Sequence, residues 1–77
     1  MSMELDARGL FCPIPRLRAS EMLRTLDPGE PLVVLATDPE APLDLAALAA
    51  DRGRICTSEP DGDGWRITLL DSGRPGV

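Results

Sequence analysis

The sequence predicts an α/β (α+β) two-layer sandwich with the element order βαβαββ, in which a four-stranded mixed sheet has two helices on one face. Three observations predict this fold. A strand-like alternation opens the chain, two helical segments enclose a short apolar run, and two strand-like segments around a Gly-containing loop close it. A chain of 77 residues can bury one small core. We therefore expect a single domain over residues 1–71 and a disordered tail over residues 72–77.

The first half of the chain predicts a strand, a helix and a second strand. Residues 3–7 alternate between apolar and polar, which is the period of a strand with one buried face. A helix is predicted from Pro13 onward. Four apolar side chains recur on one face of that helix: Ala19, Met22, Leu23 and Leu26. Asp27-Pro28-Gly29 ends it, and residues 31–36 form a short β-branched apolar run that is typical of a central strand.

The second half predicts another helix and a β-hairpin. Residues 37–42 form a turn-rich loop, and the Leu- and Ala-rich residues 43–51 favour a helix. Residues 55–59 and 65–70 flank residues 60–64, a pattern that predicts a hairpin with a longer Gly-containing loop. The other face of the sheet should be partly open. Three hairpin side chains are expected to face the core: Trp65, Ile67 and Leu69.

Composition and charge disfavour several classes of function. The net charge is −5 and all eight basic residues are Arg, so a broad phosphate-binding surface is not expected. Phe11 and Trp65 are the only aromatic residues, which leaves no platform for stacking bases. The chain opens without the basic and apolar segments of a secretory leader, and it contains no run of about 18 apolar residues. We expect a cytoplasmic protein that binds neither membranes nor nucleic acid directly.

The residues that most enzymes use for acid–base and metal chemistry are scarce. The chain has no His, which excludes Ser-His-Asp and Cys-His catalysis by this chain alone and disfavours a metal site. Cys12 and Cys56 lie 44 positions apart, unlike the close pairs of zinc and redox motifs. Cys56 falls in the third predicted strand, where a free Cys is most often a small core or face residue. The alternatives are a resolving thiol for Cys12, two inert thiols, or one disulfide.

Cys12 occupies a position that can activate a thiol. It immediately precedes the first predicted helix, where we assign it as the N-cap, with Pro13 and Pro15 at the first and third helical positions. The positive end of the helix dipole and the free amides there predict a lowered thiol pKa and a nucleophilic thiolate. If the first two strands are parallel, the loops at residues 8–13 and 37–42 lie side by side at one edge of the sheet.

The segment Cys12-Pro13-Ile14-Pro15 resembles the Cys-Pro-x-Pro hallmark of the TusA family of sulfur carriers, also called SirA-like. The resemblance runs from Leu5 to about Leu70 and includes Asp38-Pro39 after the second predicted strand. Asp44 falls where family members have an acidic residue that opens the second helix, and its carboxylate can also cap free amides there. The family fold, a four-stranded mixed sheet with two helices, agrees with the fold predicted from the pattern.

The resemblance implies a sulfur carrier without independent turnover. Cys12 would accept a sulfane sulfur as a persulfide from a cysteine desulfurase or a rhodanese-like donor and pass it to an acceptor protein, without a cofactor. The pathways open to it include tRNA thiolation, molybdenum-cofactor synthesis and sulfur oxidation. Members that serve tRNA thiolation often have an acidic residue at the position of Ile14, so the acceptor stays open. We expect a monomer.

The residues around Cys12 are assigned two roles. Pro13, Ile14 and Pro15 are expected to position the sulfur, because the prolines fix the backbone beside it. Four charged residues are candidates for partner contact: Arg16, Arg18, Asp38 and Asp44. A solvated helix face explains the two arginines equally well.

Two other functions compete with the sulfur carrier. The first is a regulatory or binding module of the same fold without sulfur chemistry, as in the C-terminal domain of a bacterial translation initiation factor, although the acidic charge disfavours an RNA role. The second is a thiol redox protein, which would need a second Cys near Cys12. Whether Cys12 carries sulfur discriminates among them.

Overall fold

A computed structural model describes residues 3–27 and 29–71, and their elements follow the predicted order. The sheet and helices are β1 (Met3–Ala7), α1 (Ile14–Thr25), β2 (Leu32–Ala36), α2 (Ala41–Asp51), β3 (Arg54–Asp61) and β4 (Gly64–Asp71). The predicted fold class, a four-stranded mixed sheet with two helices, is confirmed. The tail predicted over residues 72–77 lies outside the described residues.

The strands lie in the order β1-β2-β4-β3. β1 and β2 are parallel, with Ala7 opposite Ala36, and the other two neighbouring pairs are antiparallel. Parallel strands that end opposite each other deliver the loops that follow them to one edge of the sheet. The pairing therefore brings the β1–α1 loop beside the β2–α2 loop, as the sequence predicts.

The core lies between the sheet and the two helices. Ile67 and Leu69 are fully buried as predicted, and Trp65 packs against the core while partly exposed. In α1 the predicted face is confirmed, because Ala19 and Leu23 are buried and two further residues of that face pack at its edge. The largest fully buried side chains are Leu32, Leu45, Ile67, Leu69 and Val34. Burial of each such side chain contributes about 1.5–3 kcal/mol to folding.

The hairpin is tighter than predicted. β3 and β4 pair as far as Asp61 opposite Gly64, so a two-residue turn replaces the predicted loop over residues 60–64. Gly62 has φ +63°, the left-handed conformation that the first position of such a turn requires. Gly64 lies against the backbone of Ala36, and a Cβ there would collide with the Ala36 carbonyl oxygen. The two glycines that suggested a long loop instead serve a tight turn and a close backbone approach.

The second helix begins two residues earlier than predicted. Ala41 and Pro42 form its first turn, in which Pro loses nothing because the amides there have no partner within the helix. The other face of the sheet is partly open, with Ile55 51% and Leu70 38% exposed. Among residues 3–27 and 29–71, no helix is long and apolar enough to cross a membrane.

Candidate functional site

Cys12 lies on the β1–α1 loop, exposed at the edge of the sheet where β1 and β2 end. Three hydrogen bonds tie this loop to the β2–α2 loop and to the first turn of α2. The Gly9 amide donates to Thr37 Oγ1 at 3.0 Å, the Cys12 amide donates to Asp38 Oδ2 at 2.6 Å, and Cys12 Sγ donates to Asp44 Oδ2 at 2.6 Å. The side-by-side placement of the two loops is therefore confirmed. It brings the predicted residues Cys12, Asp38 and Asp44 together.

The assignment of Cys12 as the N-cap of α1 is wrong by one residue. Pro13 is the N-cap, Ile14 is the first helical residue and Pro15 is the second. The first helical hydrogen bond runs from the Leu17 amide to the Pro13 carbonyl oxygen at 3.0 Å. The Ile14 amide donates to the Phe11 carbonyl oxygen at 2.8 Å, which closes a turn around Cys12. That amide is therefore used by the backbone and does not stabilise the sulfur. The Cys12–Pro13 peptide bond is cis.

The predicted lowering of the Cys12 pKa is also wrong. The hydrogen bond to Asp44 raises the pKa of the thiol from 9.0 to about 11, with further contributions from partial desolvation and from the charges of Asp44, Glu40 and Asp38. A thiolate beside these carboxylates would add a negative charge to negative surroundings, which favours the protonated form. The free protein therefore holds Cys12 as a protonated thiol near neutral pH.

Asp38 fastens the two loops together. Its side chain is nearly buried, at 5% exposed, and both carboxylate oxygens accept backbone amides. Oδ2 accepts from Cys12 at 2.6 Å and Oδ1 accepts from Glu40 at 3.0 Å. Both hydrogen bonds lower the pKa of Asp38, and the bond from the Glu40 amide has the larger effect. Asp38 is thus a positioning residue whose carboxylate is directed inward and is not free to contact a partner.

Asp44 does not cap α2, contrary to the sequence-based expectation. Its own amide donates to the Glu40 carbonyl oxygen at 3.0 Å, as a residue inside the helix does, and no side chain caps this end of α2. The amide of Glu40 at the start of the helix is taken by Asp38 instead. The Asp44 carboxylate is left to face the sulfur, half-buried beside the exposed Cys12. Asp44 is therefore the side chain that directly contacts the Cys12 sulfur.

The remaining motif residues line the surface around Cys12. Pro15, in the first turn of α1, is buried, whereas Pro13 is exposed and Ile14 is 39% exposed. Arg16 is half-buried and Arg18 is exposed. The two arginines thus lie on α1, whereas the Asp44 carboxylate on α2 contacts the sulfur itself.

Three exposed apolar residues lie close to Cys12 or Asp44 in the sequence. Phe11 is 71% exposed beside it, and Leu17 is 54% exposed one turn into α1. Leu43, next to Asp44, is 80% exposed. A signal was present for Leu17, because it falls outside the Ala19, Met22, Leu23 and Leu26 face of its helix.

Cys56 is remote from this site. It pairs with Leu69, which pairs with Leu32, which pairs with Met3 at the start of β1. Cys56 is therefore level with the beginning of β1, whereas Cys12 follows its end, and β2 and β4 lie between β1 and β3. The half-buried Cys56 thiol packs against the core, and burial raises its pKa. This separation excludes Cys56 as a resolving thiol in the folded chain and disfavours a redox function.

Comparisons with known proteins agree on one family. The family described as sulfurtransferase TusA matches residues 3–70. The sulfur carrier protein TusA of Allochromatium vinosum is 48% identical over 70 residues, which cover 90% of this chain and 92% of that protein. A candidate sulfur carrier of Neisseria meningitidis serogroup A is 41% identical over 63 residues, 82% of this chain and 85% of that one. The crystal structure of a SirA-like protein from Desulfitobacterium hafniense superposes with a TM-score of 0.82 at 28% identity, covering 96% of this chain and 100% of the other.

Proposed function

Because this chain belongs to the TusA family of sulfurtransferases, we propose that it is a sulfur carrier in which Cys12 holds a sulfane sulfur as a persulfide and relays it between partner proteins. The observation that supports this best is the placement of Cys12. It is an exposed thiol on the Cys-Pro-x-Pro turn, held at the sheet edge by the hydrogen bond from its amide to Asp38. A relay needs such a sulfur, reachable by two different proteins in turn.

The exchange is chemically simple. The Cys12 thiolate attacks the outer sulfur of a donor persulfide, the S–S bond of the donor breaks, and the donor cysteine leaves as a thiolate. The second transfer repeats the step with Cys12 as the donor. Sulfur changes its carrier without net oxidation or reduction, so no cofactor and no general-base His are needed.

The resemblance to sulfur carriers implies the classes of partner. The donor is a cysteine desulfurase or a rhodanese-like protein, and the acceptor is a protein of tRNA thiolation, molybdenum-cofactor synthesis or sulfur oxidation. The net charge of −5 supports contact with these proteins and not directly with RNA. A thiol that must stay reduced suits the cytoplasm. We place the carrier there, as a monomer.

One observation favours the alternative of a regulatory or binding module. A thiol with a pKa of about 11 is a poor nucleophile by itself near neutral pH. If the proposal is right, a partner must overcome this protection. If the protein is instead a regulatory or binding module, Cys12 never carries sulfur.

Sulfur loading distinguishes the two functions. The protein is incubated with a cysteine desulfurase, pyridoxal phosphate and cysteine, and its intact mass is measured before and after reduction. We expect the gain of one sulfur atom, reversed by the reductant, in the wild type and in Cys56→Ser but not in Cys12→Ser. A wild type that gains no sulfur from several desulfurase and rhodanese donors, or equal loading of Cys12→Ser, would overturn the carrier and make the binding module the better account.

A further inference from the structure

The surroundings of the Cys12 sulfur are negative on one side. Asp44 Oδ2 lies 2.6 Å from Sγ, and Glu40 and Asp38 belong to the same short segment at the start of α2. Asp38 has both oxygens engaged by amides, whereas Glu40 is exposed. The two carboxylates that an approaching molecule can reach beside the sulfur are therefore those of Asp44 and Glu40.

The neighbouring arginines do not cancel this charge. Arg8, on the loop that carries Cys12, is paired with Asp6 at 2.8 Å. Arg16 and Arg18 lie on α1, yet the thiol pKa is raised, so the carboxylates prevail at the sulfur itself. Within residues 3–27 and 29–71, the ion pairs join Arg8 to Asp6 and Arg66 to Glu4, and none involves Asp44 or Glu40.

Exposed apolar residues stand close to Cys12 and Asp44 along the chain. Four of the seven exposed large apolar side chains in the described part of the chain lie within five residues of Cys12 or next to Asp44. They are Phe11, Ile14, Leu17 and Leu43. Exposed apolar residues grouped around a polar centre are typical of a protein docking surface, where exclusion of water strengthens the charge interactions inside. We call these four residues the apolar rim.

We propose that Cys12 is activated by the partner: a protein that docks on the apolar rim places a Lys or Arg side chain against Asp44 and Glu40, and this cation releases the thiolate. The inference rests on the proposed function and adds to it the charge of the partner. Charge complementarity identifies the occupant, since two reachable carboxylates beside a reactive sulfur favour a cation and disfavour an anion.

The step balances without a further reactant. When the partner cation pairs with Asp44, the hydrogen bond from Sγ is lost and the thiol proton passes to water. The thiolate attacks the outer sulfur of the donor persulfide, the donor S–S bond breaks, and the donor thiolate takes a proton from water. The free carrier stays unreactive because no cation is present at Asp44.

Charged thiol reagents test the cation preference directly. Cys56→Ser protein, whose only thiol is Cys12, is treated with two methanethiosulfonates that differ in one end, a trimethylammonium or a sulfonate. Each reaction forms a disulfide with Cys12 and releases methanesulfinate. The ratio of the cationic to the anionic rate is divided by the same ratio for free cysteine. We expect a preference of about tenfold for the cation, reduced at least threefold in Asp44→Asn and lowered by high salt.

Asp51→Asn supplies the matched control, since it removes a carboxylate from the same helix about 10 Å farther along its axis. Its ratio should equal that of the Cys56→Ser parent. A parent ratio equal to that of free cysteine, or an unchanged ratio in Asp44→Asn, would overturn the inference.

A second measurement separates this inference from the proposed function. Sulfur loading by a cysteine desulfurase is followed at increasing salt for wild type and Asp44→Asn. We expect the wild-type rate to fall more steeply than that of the variant, because salt screens the pairing with the cation. If the loading rates of both proteins depend equally on salt, activation by a partner cation is rejected and the sulfur-carrier function is retained. If neither protein is loaded with sulfur while Cys12 still prefers the cationic methanethiosulfonate, the sulfur-carrier function is rejected and the charge selectivity of the site is retained.

Discussion

Cys12 and Cys56 both have a thiol pKa raised above 9.0, but the causes differ. At Cys12 the first cause is the hydrogen bond to Asp44, a surface contact between the β1–α1 loop and α2. At Cys56 the cause is burial beneath neighbouring side chains of the sheet. A docking protein can remove the first cause, whereas only unfolding removes the second. Two thiols with a raised pKa can therefore differ in whether a surface contact or burial in the fold raises it.

Among the variants that distinguish the two cysteine sites, Asp38→Ala should have the largest effect on the free energy of unfolding. Asp38→Ala removes the acceptor of two amides at the Cys12 site and leaves the sheet around Cys56 untouched. We expect the free energy of unfolding to fall by about 1–3 kcal/mol, because the amides of Cys12 and Glu40 lose their partner. Urea denaturation measures this. Exposed Asp27→Ala is the control, and an Asp38→Ala protein as stable as that control would contradict the positioning role.

Loss of Asp44 should make Cys12 reactive while Cys56 stays slow. In Asp44→Asn the thiolate fraction at pH 7.4 rises about a hundredfold if the pKa returns to its ordinary value, and the lower basicity costs about tenfold in nucleophilicity. We expect alkylation of Cys12 by iodoacetamide to accelerate about tenfold. Peptide mass mapping follows both cysteines in one sample. An unchanged Cys12 rate, or an equal acceleration at Cys56, would mean that Asp44 does not hold the thiol.

Replacement of the thiols themselves should show the reverse order for stability. Cys56→Ala removes a side chain that packs against the core, and we expect a loss of about 1 kcal/mol. Cys12→Ala removes an exposed side chain and should change stability by less than about 0.5 kcal/mol. Thermal unfolding of both variants provides the test. A larger loss for Cys12→Ala would show that its contact with Asp44 stabilises the fold.

The smallest effect is expected on the pH dependence of stability in the alkaline range, where few side chains of this protein titrate. It has no His, Lys or Tyr, so above pH 9 the two thiols are the side chains that titrate. A raised thiol pKa means that the folded state binds the proton more tightly than the unfolded state. The stability from this source is complete below pH 9 and falls as the pH rises toward about 11 for Cys12. Cys12→Ser should flatten the decline, and an equally steep decline would refute the raised pKa.

The sequence could predict the fold because its signals are local. Alternation in residues 3–7, the apolar run at residues 31–36 and the face of α1 each report the burial of neighbouring positions. The core residues Ile67 and Leu69 follow from the same period. The motif at Cys12 also lies within a few residues, so the candidate reactive sulfur could be identified from the sequence alone.

The electrostatics of the site could not be predicted in this way. The contacts of Cys12 with Asp38 and Asp44 join residues 26 and 32 positions apart, and they exist only because β1 and β2 end opposite each other. A local argument accounts for the helix that follows Cys12 and misses the carboxylates that the other loop brings to it. The sign of the pKa shift depends on those carboxylates.

The register of the sheet also determines how the domain can be joined to other sequences. Met3 lies opposite Leu32, and Asp71 lies opposite Arg54, so β1 begins and β4 ends at the edge remote from Cys12. The two ends of the sheet-forming segment at which other sequences can be joined are therefore both remote from the sulfur.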